Sequence, residues 1–439
     1  MNELRKNLGE ANLELDRCMS CGLCLDDCPT YTTTGRSTSS PRGRMRLMMN
    51  LIKGTIDIND KVPYTNVSVR HELETCLGCL GCNTSCPADI QHTDMFECLK
   101  MMFFKNNPQY KEQLKAFLKE MPIDNPKKFR TLMILLFVAK RTGAIWITQN
   151  TPLKYLLPST KRNMVKLLAK KIPYRPSSRV LSGFNPAIGK KKMRVGVFLG
   201  CINDHMFAEV NIAMVRVLQR LGAEVLVPKT EACCGAIHQH MGEREISSKM
   251  AIENCERFLD MGVDTIAVNA AGCGLRVKAY TRALPHHPVI QKIGPKFKDI
   301  HEIIWELLEM NPALKNQWIW PGGKERYTYH DACHLVHGQG ISDIPRKLLQ
   351  CIQGLEYISL KESTMCCGSA GTYNIFHPEL AQKIQSRKIM NILDTKASIV
   401  AVGNSGCSLQ ILSGLKEKGK SNVKCYHPVE MIDISWRKV

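Results

Sequence analysis

The stretch Cys18-Met-Ser-Cys21-Gly-Leu-Cys24-Leu-Asp-Asp-Cys28-Pro29 returns later in the chain as Cys76-Leu-Gly-Cys79-Leu-Gly-Cys82-Asn-Thr-Ser-Cys86-Pro87. Two-residue gaps allow three thiolates to converge on three corners of one iron–sulfur cube. The fourth cysteine precedes proline, leaves in an extended direction and reaches across to the other cube. This crossed pattern assigns Cys18, Cys21, Cys24 and Cys86 to one [4Fe–4S] cluster, and Cys28, Cys76, Cys79 and Cys82 to a second. Zinc is the main rival, but it favours paired cysteines from two loops over runs of four ending in Cys-Pro. Disulfides are a poorer rival, because so many neighbouring thiols would scramble. The expected work is electron transfer.

Outward from these runs, the chain has 439 residues and 20 cysteines, enough for several domains each with a core. The N-terminus shows no apolar signal segment, and metal-binding thiols belong in a reducing compartment, so the expected location is the cytoplasm. The net charge is +20, and most of it is local. Residues 101–194 hold 21 Lys and Arg against three acids, Glu112, Glu120 and Asp124, a balance of +18. Such an imbalance implies a basic surface facing an anionic partner. Within it, the apolar run Leu132–Ala139 and Ile145-Trp-Ile147 is too short to span a bilayer. It reads either as a buried helix with basic flanks or as a peripheral anchor on the inner face of the cell membrane. No nucleic-acid module accompanies the charge, so nucleic acid is not an expected partner.

Residues 1–17 read as a lead-in helix. Between the two runs lies Pro41-Arg-Gly-Arg44-Met-Arg46, whose three arginines either stabilise an anionic cluster or form a solvated helix start. Beyond Met193 the texture becomes strand, helix, strand, with Cys201, Cys233-Cys234-Gly235 and Cys273 at the element ends. The same landmarks recur at Cys333, Cys366-Cys367-Gly368 and Cys407, offset by 132, 133 and 134 residues. A nearly constant offset is an internal duplication. The expected fold is α+β and multidomain: a helical ferredoxin-type two-cluster domain (1–100), a basic helical connector (101–192), and two duplicated α/β Cys-Cys-Gly modules (193–310 and 325–439).

In open parallel sheets, ligands bind beyond the carboxyl ends of the strands. Cys201, Cys233, Cys234 and Cys273 are therefore candidates for one further metal, cluster or redox site, and Cys333, Cys366, Cys367 and Cys407 for a second. Helix dipoles are expected to lower the pKa of these thiols. A vicinal dithiol for exchange chemistry, or cysteines that merely pack, remain alternatives. Cys98, Cys255, Cys351 and Cys425 read as core.

Two cysteine runs followed by two Cys-Cys-Gly modules, with Pro41-Arg-Gly-Arg44, His330-Asp-Ala-Cys-His334 and Cys366-Cys-Gly-Ser-Ala-Gly-Thr-Tyr373, resemble the glycolate oxidase iron–sulfur subunits over essentially the whole chain. Heterodisulfide reductase, anaerobic glycerol-3-phosphate dehydrogenase and lactate-utilisation subunits share the layout. The resemblance implies the electron-transfer subunit of a flavin-dependent 2-hydroxy-acid dehydrogenase, with glycolate, D-lactate or glycerol 3-phosphate as the oxidised substrate. One departure stands out: modules of the heterodisulfide reductase type end in Cys-x2-Cys, whereas here the matching places read Cys273-Gly-Leu-Arg276 and Cys407-Ser-Leu-Gln410. The chain has no Gly-x-Gly-x-x-Gly after a strand and no phosphate-binding loop, so FAD is expected only in a partner subunit, with no catalytic residue on this chain. A quinone or similar acceptor would take the electrons. The rival from another class is a thiol–disulfide reductase working through the Cys-Cys-Gly modules.

Overall fold

The computed structural model describes residues 15–62, 65–106, 108–168, 172–228 and 233–436, so the lead-in helix expected over 1–17 lies outside them but for its last three positions. Strands β1 (Phe184–Asn185), β2 (Met193–Phe198), β3 (Ala223–Leu226), β4 (Thr265–Val268) and β5 (Phe297–Asp299) form one sheet in the order β1-β3-β2-β4-β5. Strands β6 (Glu325–His330), β7 (Leu355–Tyr357), β8 (Ile399–Val402) and β9 (Lys424–Tyr426) form a second in the order β7-β6-β8-β9. Apart from β1 every pairing is parallel. The duplication is thus one of topology. In each sheet the winding reverses beside the central strand, β2 or β6, which is where doubly wound folds bind ligands.

Side chains alternate across each central strand. Val195 and Val197 of β2, Tyr327 and Tyr329 of β6, and Ile399 and Ala401 of β8 face one shared core, filled by helices Ala208–Arg220, Ile300–Glu309, Asp343–Gln350 and Pro428–Trp436. Phe198, Ile266 and Val268 face a separate core on the far side of the first sheet, and Val400 and Val402 another beyond the second. The modules are therefore two halves of one packed body. Asp433, wholly buried, accepts from Arg216 at 3.2 Å and Arg220 at 3.3 Å and ties the last helix to the first module.

The helical texture after β2 is broken at Phe207 into Cys201–Met206 and Ala208–Arg220. The second piece buries Val210, Ala213, Met214, Val217 and Leu218 on one face, and Gly222 ends it at φ +94°, a left-handed turn that glycine adopts without strain. The stretch expected to be a connector also contributes to the first sheet, because β1 pairs antiparallel with β3.

The N-terminal cysteine runs are held by helices Pro29–Thr34, Pro41–Lys53, Val69–Glu74, Gly81–Thr84 and His92–Asn106 around a core of Met45, Met48, Leu51, Leu73, Phe96 and Leu99. Gly43 is required by close approach: a Cβ there would lie 1.9 Å from the carbonyl oxygen of Ser37. The basic helices Pro108–Glu120, Pro126–Arg141 and Ser159–Lys166 pack across the end of the two sheets, where Phe117, Ile123, Phe129 and Met133 meet Met206 and Ile375. Leu135 and Val138 of the second of these, Trp146 and Ile147 of the uncharged helix Ala144–Asn150, and Tyr155 and Leu156 of the short turn Pro152–Leu156 are exposed. Among the described residues no helix is long and apolar enough to cross a membrane.

Candidate functional site

Cys18, Cys21, Cys24 and Cys86 line one small cavity, with Arg42 and Ala88 among the other residues around it. These are the four cysteines that the crossed spacing groups together, drawn from opposite ends of the N-terminal region. Burial pushes the Cys24 thiol up to about 11. Cys28 lies with the other set. Burial, then the neighbouring Cys76 and Cys28, push Cys82 well up, and burial together with Cys333, Cys82 and Cys28 does the same to Cys79.

Of the three arginines expected beside a cluster, the structure brings in two. Arg42 lines the first cavity and donates to the carbonyl of Ser20 at 3.2 Å. Arg44 is buried and donates to the Glu72 carbonyl at 2.6 Å, Thr75 Oγ1 at 3.2 Å and Thr30 Oγ1 at 3.1 Å. Thr30 Oγ1 in turn lies 3.2 Å from Cys28 Sγ. Arg46 is exposed, since two residues along a helix turn it to the opposite side. The stretch does open a helix, capped by Ser40 with Pro41 in its first turn, but that start is buried and not solvated as the alternative expected.

The Cys-Cys-Gly cysteines were expected at two separate sites, yet all eight line a single cavity of about 380 Å³ between the modules. Cys201, Cys273, Cys333 and Cys407 fall in the first turns of helices that follow the central strands, and Cys233-Cys234 and Cys366-Cys367 come in on loops. Cys201 Sγ lies 3.7 Å from Cys233 Sγ, and Cys234 Sγ lies 3.3 Å from Cys273 Sγ. The halves touch at the cavity floor: Asn404 accepts from the Gly272 amide at 3.2 Å and donates to Cys407 Sγ at 3.3 Å, and the Ala271 amide donates to the Gly403 carbonyl at 3.2 Å. Phe117, Leu132, Leu136 and Met164 of the basic helices make an apolar wall.

The expected lowering of these thiols by helix dipoles is mostly reversed. Contact with Cys201 and Cys234, then burial, pushes Cys233 well up; contact with Cys366, then burial, does the same to Cys333. Cys234 is the exception. Hydrogen bonds from Cys233, Cys273 and the Ala236 amide, with the Arg276 cation nearby, hold it well below the usual thiol range. Dense burial of sulfur with few other donors outweighs a partial helix charge.

The N-terminal cysteines and this cavity are adjoining sites. Leu77 lines the cavity and packs with Cys79, Cys333 and Cys366 in one cluster. His334 and Gly78 hydrogen-bond through the ring and the carbonyl at 3.0 Å, and Thr84 Oγ1 meets the His337 ring at 2.7 Å. Arg276 and Gln410, at the places lacking a thiol, are engaged elsewhere: Arg276 donates to Ser247 Oγ at 2.8 Å, and Gln410 accepts from Asn374 at 2.8 Å. None of the 20 cysteines is paired in a disulfide, and Cys255 is fully buried as expected of a core residue, whereas Cys98, Cys351 and Cys425 are half-buried. Sequence reasoning missed His330 as a candidate. It lies beside Cys367 and Cys407, and its exposure is 0%.

Comparison with known proteins agrees with this arrangement. Residues 14–90 match the model of the 4Fe-4S dicluster domain, and residues 195–278 and 327–412 each match that of the cysteine-rich domain. The chain is 32% identical to the probable glycolate oxidase iron-sulfur subunit of Bacillus subtilis, over 98% of this chain and 96% of that one. It is 26% identical to the glycolate oxidase iron-sulfur subunit of Escherichia coli, over 99% and 98%. It is also 26% identical to one subunit of the fumarate reductase (CoM/CoB) of Methanothermobacter marburgensis, over 96% of this chain and 73% of the relative. With the cysteine layout, the paired sheets and near-complete coverage in agreement, this chain belongs to the family of glycolate oxidase iron–sulfur subunits.

Proposed function

We propose that the chain is the electron-relay subunit of a flavin-dependent 2-hydroxy-acid dehydrogenase whose partner subunit oxidises glycolate to glyoxylate. The observation that carries this reading is the packing of Cys79 and Leu77 of the second N-terminal run against Cys333 and Cys366 of the inter-module cavity. Cys18, Cys21, Cys24 and Cys86 would hold one [4Fe–4S] cluster, Cys28, Cys76, Cys79 and Cys82 a second, and the cavity cysteines a further iron–sulfur group. Groups of this kind supply one-electron acceptance and release, with little chemistry of their own on a C–H bond.

The chain's own residues fit that role. The thiol-lined cavities supply sulfur donors in number, while Arg42 and Arg44 offset the negative charge that such donors accumulate. Met45, Met48 and Phe96 belong to the apolar core that packs against Cys18, Cys76 and Cys86. Hydride abstraction needs an acceptor that this chain's motifs do not provide, so the flavin and the substrate lie on a partner. The apolar wall of the cavity fits a lipid-soluble acceptor such as a quinone. Exposed Leu135, Trp146 and Leu156, set in a region rich in Lys and Arg, fit a peripheral seat on the acidic inner face of the cell membrane. The second reading, thiol–disulfide exchange, has one point in favour: Cys234 adjoins Cys233, lies 3.3 Å from Cys273 Sγ, and is held below the usual thiol range by hydrogen bonds from both.

The test is anaerobic purification of the native protein with flavin analysis and dye reduction by glycolate, D-lactate and glycerol 3-phosphate. A co-purifying flavoprotein with glycolate-dependent activity supports the relay, and a preference for another of these substrates would replace glycolate. A solitary chain that reduces disulfides would refute the relay.

A further inference from the structure

The two modules share a topology but differ at the end of the central strand. β2 ends on Phe198, buried edge-on against Phe297 with ring centroids 6.1 Å apart. β6 ends, at the equivalent place, on His330. His330 has 0% exposure, and neither of its ring nitrogens makes a hydrogen bond of good geometry, the Ser363 backbone being the polar group that faces the ring. Leaving an imidazole unpaired in an apolar layer costs free energy, so such a group calls for a partner that ordinary contacts do not show. The groups it does face are sulfurs. One ring nitrogen of His330, Cys367 Sγ and Cys407 Sγ all lie within 4.8 Å of one another, and all three residues are buried.

We propose that His330 is a ligand of the iron–sulfur group held in the cavity, beside Cys367 and Cys407 of the second module, at a place where the first module has no donor. This rests on the reading that the cavity cysteines hold such a group. Phe198 at the matching position has no donor atom, so the asymmetry is fixed by sequence. A neutral imidazole in place of a thiolate leaves the group less negative and easier to reduce than one held by sulfur alone. The second module is also the one that the second N-terminal run touches, through Cys333 and Cys366.

The experiment uses the native protein, with whatever subunits accompany it, purified anaerobically from cells fed isotope-labelled histidine. Iron is counted, and pulsed EPR of the reduced protein reads nitrogen hyperfine coupling. Iron beyond that of two [4Fe–4S] clusters, with a strong coupling that changes on histidine labelling and is lost in His330→Ala, is the expected result. His330→Cys keeps a ligand in place should His330→Ala fail to fold, and is expected to abolish the coupling and lower the midpoint potential of that one signal. Phe198→His is expected to leave the existing coupling unchanged. Iron amounting to only two clusters would overturn the reading of the cavity and the inference with it. Full iron with no histidine-dependent coupling, or with a midpoint potential indifferent to His330→Cys, would overturn the inference alone.

Discussion

Arg44→Met removes a buried cation beside the cysteines assigned to the second cluster. Arg44 Nη2 is 3.1 Å from Thr30 Oγ1, which is 3.2 Å from Cys28 Sγ, so the guanidinium lies within about 6.3 Å of that sulfur. At an effective dielectric of about 20, a unit charge at this distance is worth roughly 2.6 kcal/mol. The added electron is spread over the cube, so about 1–2.5 kcal/mol, or roughly 40–110 mV, is the expected share. The sign follows from charge: a cation favours the reduced, more negative form, so its removal lowers the midpoint potential. Arg44→Lys keeps the charge and loses only the fork of hydrogen bonds to Glu72, Thr30 and Thr75. The assay is anaerobic potentiometric titration followed by EPR. The reasoning predicts a downward shift of one signal in Arg44→Met and a much smaller one in Arg44→Lys. Equal shifts in both variants, or none in either, would refute it.

Other predictions follow from local geometry. Gly43→Ala places a Cβ 1.9 Å from the Ser37 carbonyl and should cost about 3 kcal/mol or more, whereas Gly35→Ala meets nothing within 4 Å and should cost about 1 kcal/mol, mainly for its positive φ; thermal unfolding separates the two. Asp433→Ala strands Arg216 and Arg220 at the seam between the modules. Both arginines are partly exposed, so a loss of about 1–3 kcal/mol in urea unfolding is expected, with Asp433→Asn milder. Glu97 bridges the N-terminal region to the first module. Although burial opposes it, the His240 ring 3.6 Å away and a hydrogen bond from Gln239 at 3.2 Å hold its carboxyl down to about 2, against an ordinary 4.5. A depressed carboxylate gives stability that is full above the ordinary value and lost as pH falls towards the depressed one. Wild type should therefore lose roughly 1–2 kcal/mol more than Glu97→Gln between about pH 5 and pH 3; parallel curves would count against the bridge.

The parts of this molecule legible in sequence are those in which chemistry dictates spacing. Thiolates that meet on one small group must be near neighbours along the chain, so Cys18 to Cys28 and Cys76 to Cys86 announce their role. A duplication of topology shows as a constant offset between Cys201 and Cys333. What depended on distant packing was less legible. That eight cysteines line one cavity follows from the shared core of Val197, Tyr329 and Ala401, which no local pattern reports. β1 is too short for any periodicity, and the break at Phe207 leaves the apolar spacing of the following helix intact. The lowering of thiol pKa was expected from helix starts, but contact between neighbouring sulfurs and then burial, which only the fold reveals, outweigh them at Cys233, Cys273 and Cys333. Two errors were avoidable. Arg44 and Arg46 are two residues apart on a helix and cannot face one group, and aligning the repeat would have set His330 against Phe198.

The relay itself is most directly tested by mixing the purified native complex with glycolate under anaerobic conditions and following flavin and iron–sulfur absorption together, in wild type and in Cys79→Ala. The account predicts that glycolate reduces the flavin and then the iron–sulfur chromophores in wild type. In Cys79→Ala, flavin reduction should persist while reduction of the cavity group is slowed or lost. Reduction of the cavity group at an unchanged rate in Cys79→Ala, or iron–sulfur centres that stay oxidised while the wild-type flavin is reduced, would contradict it.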